Sequence, residues 1–319
     1  MGKRYGVPYM GSKNKIAEWL IDKLPSSEVF VDLFAGGCAV THAAIESGKY
    51  QEYIINDIGP APDLFIDAIH GKYKDETRWI SREDFFRLKD VDPYVKYCWS
   101  FACNGQDYCY GRHVEPWKKA LHYARVFGDY SLLKDMGINT ADASCKWIKD
   151  NESEIRTTLK ATGKSRLYDL QSLQRLQSLQ SLQSLQRLQS LQSLQRLQGL
   201  ERLYLNITAT HKDYREVQNK RASFFYADPP YRNTAGYGQD FDFDAFDKWL
   251  ETVDKPVIVS EYTQPPHTVE VANIEKRVTV CATDNRIKRQ ERLFIQDRYY
   301  DWYKEAMRHD RQGDTTAEG

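Results

Sequence analysis

Apolar positions along the chain fall into short runs with two different spacings. Val29, Phe30 and Val31 form a β-prone run that ends in Asp32 and, a few residues on, in Gly36 and Gly37. CAVTHAAIESG follows and reads as a helix with Gly48 as its stop. The next β-branched run, YIINDIG at 53–59, again ends in an acid, Asp57. Strand, glycine turn, helix and strand-with-acid make one βαβ unit of a doubly wound α/β sheet. Ahead of it, KNKIAEWLIDKLP carries Ile16, Trp19, Leu20 and Leu24 at helical spacing and stops at Pro25.

The sheet pattern breaks off near residue 60 and resumes at 204. YLNITAT (204–210) has strand character, HKDYREVQNK helix character, and ASFFYADPPY (222–231) is an apolar strand running into a proline turn. FDAFDKWLETV predicts a helix, PVIVSEY (256–262) a strand, and KRVTVCAT with RLFIQDRY a closing hairpin. Between the two halves, 62–166 is rich in aromatic and charged residues and poor in strand-like runs, which predicts a mostly helical insertion. Residues 167–203 repeat leucine every third position. An α-helix turns about 100° per residue, so such leucines slip about 60° at each step and wind around the axis. The period of a strand, two, does not fit either. The tract is a spacer, or a regular stacked structure that positions the insertion. The polar stretch 306–319 is expected to be a disordered tail.

Composition narrows the class. A hydrophobic share of 41% and a charged share of 28% support a packed core and exclude global disorder. No apolar run approaches the roughly 20 residues of a membrane span, and the basic N-terminus is followed by no apolar stretch. No partner membrane and a cytoplasmic location are therefore expected. The formal net charge of +0 gives no support to a non-specific nucleic-acid coat, although a local basic face could still contact phosphates. Six cysteines in a chain without an export signal are expected to be reduced. Their spacing lacks the paired pattern of a zinc site, so no metal is expected.

The sharpest chemical signal is Asp228-Pro229-Pro230-Tyr231, placed after an apolar strand. Ligands of open α/β sheets bind beyond the carboxyl ends of strands. The prolines fix the turn and donate no N–H, so their carbonyls are rigid acceptors. Asp228 adds a carboxylate and Tyr231 an aromatic face. An exocyclic amine on a flat ring fits: its hydrogens go to the acceptors, its lone pair stays free to attack an electrophile, and the ring stacks. The glycine turn at 36–37 lets backbone approach a ligand, and Asp57 stands where an acid can hydrogen-bond a ribose hydroxyl. Tyr9-Met10-Gly11-Ser12-Lys13 adds a glycine turn with an aromatic and a cation.

Together these segments resemble the Dam-like, D12-class adenine-N6 DNA methyltransferases. YMGSK is similar to that family's N-terminal cofactor motif, with Tyr9 in place of its tryptophan. FVDLFAGGCAV resembles its glycine motif, YIINDI its acidic strand and YADPPY its catalytic motif, while PVIVSEY and KRQERLF resemble its late strands. The resemblance covers roughly 1–60 and 204–300. It implies a Rossmann-like S-adenosylmethionine-dependent methyltransferase sheet, 1–61 and 204–305, with 62–166 as the inserted recognition region. It also implies that Tyr9, Lys13, Asp32, Asp57 and Asp228 contact S-adenosylmethionine, with Phe34, Ala35 and Gly36 lining its pocket. Asp228, Pro229, Pro230 and Tyr231 would hold an adenine flipped out of double-stranded DNA. A monomer, and a cognate restriction endonuclease as companion of a bacterial or phage-encoded enzyme, complete the expectation. SFACNGQDYCYG (100–111) resembles the family's Ser-Phe-Gly-Asn-Asn segment, departing from it at Ala102 and Cys103. The mixture of Tyr108, Arg112, His113, Trp117, Lys118 and Lys119 makes that stretch a candidate for DNA contact, and His113 and His122 are expected on surfaces. Cytosine-N4 methylation, a protein or RNA substrate, and a silent DNA-binding module remain open alternatives.

Overall fold

The computed structural model describes residues 4–136, 206–232, 241–279 and 286–316, together with Leu194, Leu197 and Leu200. The chain divides into two compact units, one drawn from 1–74 and 190–319, the other from 75–189.

The first unit is built on a seven-stranded sheet of order β3-β2-β1-β4-β5-β7-β6. The strands are β1 (Val29–Asp32), β2 (Glu52–Asn56), β3 (Asn206–Thr210), β4 (Phe225–Ala227), β5 (Val257–Glu261), β6 (Thr268–Thr279) and β7 (Arg286–Gln296). β3, β2, β1, β4 and β5 run parallel, and β7 and β6 close the edge antiparallel. Every residue of β1, β4 and β5 is buried, as expected of strands covered on both faces. On one face Val29, Val31, Phe225, Val257 and Val259 pack with Phe246 and Leu250 of the helix Phe243–Thr252. Burial of each of those two large side chains stabilises by roughly 1.5–3 kcal/mol. That helix starts where Asp242 accepts a hydrogen bond from the Ala245 amide at 2.9 Å. The helices of this unit are α1 (Ala17–Asp22), α2 (Ala39–Ser47) and α3 (Ala61–Ile69) before the insertion. As predicted, α2 ends at Gly48, whose φ of 67° is left-handed.

Three expectations need correction. The units divide at 74/75, not at 61/62: α3 buries Leu64, Phe65 and Ala68 within the sheet unit. HKDYREVQNK forms only a 3-10 turn, Tyr214–Glu216, because Asp213 caps it locally and Tyr214 and Val217 are drawn into the core. The polar end of the chain is helical over Tyr300–Thr316. Burial of Tyr303 and Met307, and a 2.8 Å hydrogen bond from the Ser26 amide to Asp310, anchor what composition alone read as a tail. Most of 167–203 lies outside the described residues. Leu194, Leu197 and Leu200 are all buried. Three leucines at this spacing spread over about 120°, still close to the width of one apolar helix face.

In the second unit the described elements are α4 (Arg82–Leu88), α5 (Pro93–Cys98), α6 (Glu115–Phe127) and α7 (Ser131–Asp135). Ser81 caps α4 by accepting from the Asp84 amide, and Asp92 caps α5 by accepting from the Tyr94 and Val95 amides. Trp99 and Phe85 are fully buried, and Trp79 stacks on Tyr110 with ring centroids 5.8 Å apart. The two helices that close the chain order are α8 (Phe243–Thr252) and α9 (Tyr300–Thr316), both in the first unit.

Candidate active site at the carboxyl end of the sheet

The chain leaves β1 for α2 on one side and β4 lies on the other, so the strand order reverses between β1 and β4, and ligands of open α/β sheets bind at the carboxyl ends of strands beside such a switch point. Three carboxylates arrive there, Asp32 at the end of β1, Asp57 just past β2 and Asp228 just past β4.

Asp32 is 1% exposed. Thr41 Oγ1 donates to its Oδ2 at 2.9 Å, whereas Oδ1 has no hydrogen-bond partner. Burial, with smaller contributions from Asp228 and Asp57, pushes this carboxyl up to about 7 against the pull of the Thr41 bond. Asp57 accepts from the Gly36 amide at 2.8 Å and from the Gly59 amide at 2.8 Å. Burial still raises it above the usual carboxylate range. These groups want a cation. An orphan buried oxygen of this kind suits the α-ammonium or sulfonium of S-adenosylmethionine, so the residues present fit that group.

The glycine turn is also required by a contact within the chain. A Cβ on Gly36 would lie 2.8 Å from the Tyr9 ring, and one on Gly37 would lie 2.5 Å from Tyr9 Cβ. The glycines thus admit the chain's own N-terminal segment, which is fastened by a 2.8 Å bond from the Val7 amide to the Gly37 carbonyl. Asn56, unremarked in the sequence, locks the floor. Its Nδ2 donates to the Leu33 and Lys212 carbonyls at 3.1 and 3.0 Å, and its Oδ1 accepts from Thr210 Oγ1 and the Lys212 amide. Ala35 lies buried above it, its amide bonded to the Asn56 carbonyl at 2.8 Å. The Phe34 ring is half-buried among Tyr214, Phe241 and Phe246, an aromatic cluster of the core.

At the proline turn, Lys13 Nζ lies 2.6 Å from both oxygens of Asp228. Lys13 is 6% exposed and its ammonium also sits 4.3 Å above the Tyr231 ring and 3.8 Å from Glu291. Burial pulls the ammonium down, but Asp228 and Glu291 outweigh it and the net shift is upward. Pro229 is buried and Pro230 half-buried. Tyr231 is 9% exposed and packs edge-on against Tyr262 at 4.3 Å. Its hydroxyl donates to Glu291 and lies 3.1 Å from Ser260 Oγ, which donates to the same carboxylate at 2.7 Å. The fully buried Glu291 of β7 thus anchors the tyrosine from beneath. Nearby, burial pushes Glu261 up to about 7 although it accepts from the Tyr262 and Arg232 amides.

Asn56, Ser260, Glu261, Tyr262 and Glu291 lie inside segments quoted for the resemblance, YIINDI, PVIVSEY and KRQERLF, but no role of their own was read for them there. The available signal was polarity inside otherwise apolar strands, as in VIVSE and RQERLFI. In the second unit, Arg112, His113 and Lys119 are exposed, but Tyr108 and Lys118 are buried, so this stretch is only partly a surface. His122, expected on a surface, is buried, with Nε2 2.8 Å from the Thr77 carbonyl. Among the described residues no cluster of histidine, cysteine and acid could hold a metal, and no helix is long and apolar enough to cross a membrane.

A mixed, mainly parallel sheet with helices and three carboxylates at its switch point is a Rossmann-like α/β fold, consistent with that of the methyltransferases. Residues 9–96 match the family model of the D12 class N6 adenine-specific DNA methyltransferases, so the resemblance seen in the sequence is shown over that stretch. It takes in Tyr9, Lys13, the glycine turn and Asp57. The chain is also 30% identical over 77 residues to the type II methyltransferase M.CviAII of Paramecium bursaria Chlorella virus 1. That match covers 23% of this chain and 23% of the relative's length.

Proposed function

We propose that the chain transfers a methyl group from S-adenosylmethionine to the N6 amine of adenine in double-stranded DNA. The observation that carries this reading is the meeting of Asp228-Pro229-Pro230-Tyr231 with the cation-seeking carboxylate of Asp32 at one end of the sheet. S-adenosylmethionine supplies an already activated methyl group, so the protein's task is alignment. Asp32 and Asp57 hold its cationic and ribose portions, beside the turn formed by Ala35 and Gly36 and covered by Tyr9. Asp228 and the Pro229 carbonyl accept the amine's hydrogens, which directs the nitrogen lone pair at the methyl group. The flipped base takes the place of the Lys13 ammonium over the Tyr231 ring, and Lys13 keeps its charge on the Asp228 carboxylate. Lys13 and Asp228 thereby serve both the cofactor half and the base half of the site. The helical insertion reads the target sequence, the enzyme acts as a monomer, and a cognate restriction endonuclease accompanies it.

The experiment is transfer of labelled methyl from S-adenosylmethionine to adenine-containing duplexes of varied sequence, followed by nucleoside analysis. N6-methyladenine is the expected product. N4-methylcytosine alone, or no methylated base despite measurable cofactor binding, overturns the assignment.

A further inference from the structure

The whole chain balances 45 basic against 45 acidic residues. The balance is not local. Between positions 275 and 289 stand Lys276, Arg277, Arg286, Lys288 and Arg289, against Glu275 and Asp284. The register of the closing hairpin decides what that run can do. β5 ends at Glu261, paired with Arg292 of β7. β6 and β7 remain paired for six further positions, from Ile274 opposite Glu291 to Thr279 opposite Arg286. At about 3.4 Å per residue this two-stranded ribbon extends about 20 Å past the end of β5. Because β5 runs toward the carboxyl edge of the sheet, the extension lies on the side that holds Asp228.

Two further observations point the same way. The register places Lys276 opposite Arg289 and Arg277 opposite Lys288. Like charges directly opposite one another destabilise a ribbon, so the pattern is a poor choice for structure and a good one for meeting a polyanion. The ribbon is also rooted in the site. Glu291 anchors the Tyr231 hydroxyl, and the Arg289 guanidinium lies 5.1 Å from the ring of Tyr262, which packs against Tyr231. The major groove of DNA admits a two-stranded ribbon, and lysine and arginine neutralise its phosphates.

We propose that the β6–β7 ribbon is a duplex-DNA clamp, its cations at 276, 277, 286 and 288 neutralising phosphates beside the adenine delivered to Asp228. The inference rests on the adenine-methylating reading above and deepens it by assigning DNA binding to the sheet unit as well as the insertion.

The test uses the full chain with K276Q/R277Q/R286Q/K288Q. Affinity for a duplex is measured across a salt series, with S-adenosylmethionine affinity measured in parallel. The slope of log affinity against log salt should fall by about 0.9 for each phosphate that is no longer neutralised, a total of about 2–4. The KM for DNA should rise more than about tenfold near 0.1 M salt, while kcat at saturating DNA and cofactor affinity stay within about twofold, since groups that bind phosphate position the duplex without touching the reacting atoms. The milder pair R277Q/K288Q should give about half the slope change, and serves if the fourfold variant folds poorly. A matched variant, K304Q/R308Q on α9, should leave the slope unchanged. An unaltered slope in ribbon variants that still bind cofactor, or an equal fall in the α9 variant, overturns the clamp. Failure of the adenine reading looks different: the wild-type chain would bind S-adenosylmethionine and show no salt-dependent affinity for duplex DNA at all.

Discussion

The two halves of the sheet carry opposite charge problems. The parallel half brings Asp32, Asp57 and Asp228 to one edge, where the buried Lys13 pairs with Asp228 and the Oδ1 atom of Asp32 has no hydrogen-bond partner. The antiparallel half supplies one deeply buried carboxylate, Glu291, and then a ribbon rich in lysine and arginine. One half is short of a cation and the other is suited to a polyanion. Under the function proposed above, a chain with zero net charge serves two charged partners at once, a cationic cofactor and a polyanionic substrate. Net charge reports on neither, because each field acts over distances near the Debye length of about 8–10 Å.

The largest effect is expected at Asp228, which the parallel half supplies and Lys13 holds. Asp228→Ala should cost methyl transfer at least about a thousandfold, about 4 kcal/mol, with cofactor binding measured separately by calorimetry. Near-normal turnover would mean that the proline turn is not where the amine is held. The reciprocal change in the antiparallel half is Glu291→Ala. It removes the acceptor of Tyr231 and Ser260 and one partner of Lys13, and should destabilise the fold by about 3–5 kcal/mol in a urea titration. Glu291→Gln should recover most of that stability, because an amide oxygen can still accept from the two hydroxyls. A Gln variant as unstable as the Ala variant would show that the charge near Lys13, and not the hydrogen bonds, is what matters.

Asp32 sharpens the contrast through pH. Its carboxyl is raised in the folded state, so stability is fullest below the ordinary aspartate range and falls as pH rises from about 4 through about 7. Asp32→Asn should make the free protein more stable at pH 8, with little change at pH 4, in paired thermal melts. The same variant should bind S-adenosylmethionine at least about tenfold more weakly. In the wild type, binding at pH 6 should release protons, seen as a dependence of the calorimetric heat on buffer ionisation enthalpy. A wild-type heat that is the same in all buffers would mean that Asp32 does not face the cofactor's positive charge.

The smallest effect lies outside the sheet and provides a control. Ala102 and Cys103 hold left-handed backbone with φ of 50° and 58°. These are the positions at which 100–111 departs from the Gly-Asn of the segment it resembles, and glycine and asparagine are the residues that tolerate this conformation. Ala102→Gly should stabilise by about 0.5–1 kcal/mol, read as a small rise in Tm, without altering cofactor affinity. A loss of stability would show that the Ala102 methyl group contributes packing that outweighs the backbone strain.

Much of the fold was legible because local patterns and tertiary packing agreed. β1, α2 and β2 follow from apolar runs closed by acids and glycines, and the closing hairpin from two β-branched stretches. Legibility failed where a distant partner overrode local preference. HKDYREVQNK lost its helix because Tyr214 and Val217 were recruited to the core, and the polar end gained one because Tyr303 and Met307 were. α3 reads as the start of the insertion but is held by burial in the sheet unit.

The covalent chain sets the type of each chemical group and its order: acids after strands, glycines after Asp32, two prolines after Asp228. Folding sets which of these groups share an environment. Lys13 and Asp228 are 215 positions apart and meet at 2.6 Å, and Glu291 reaches Tyr231 from a strand that local pattern marks only as β. At the glycine turn, too, the close approach to Tyr9 is a contact that only the folded chain reveals. The physical reason is the same in each case. Covalent neighbours set backbone preference through sterics, whereas desolvation and charge pairing depend on which atoms exclude water from one another, and only the assembled sheet determines that.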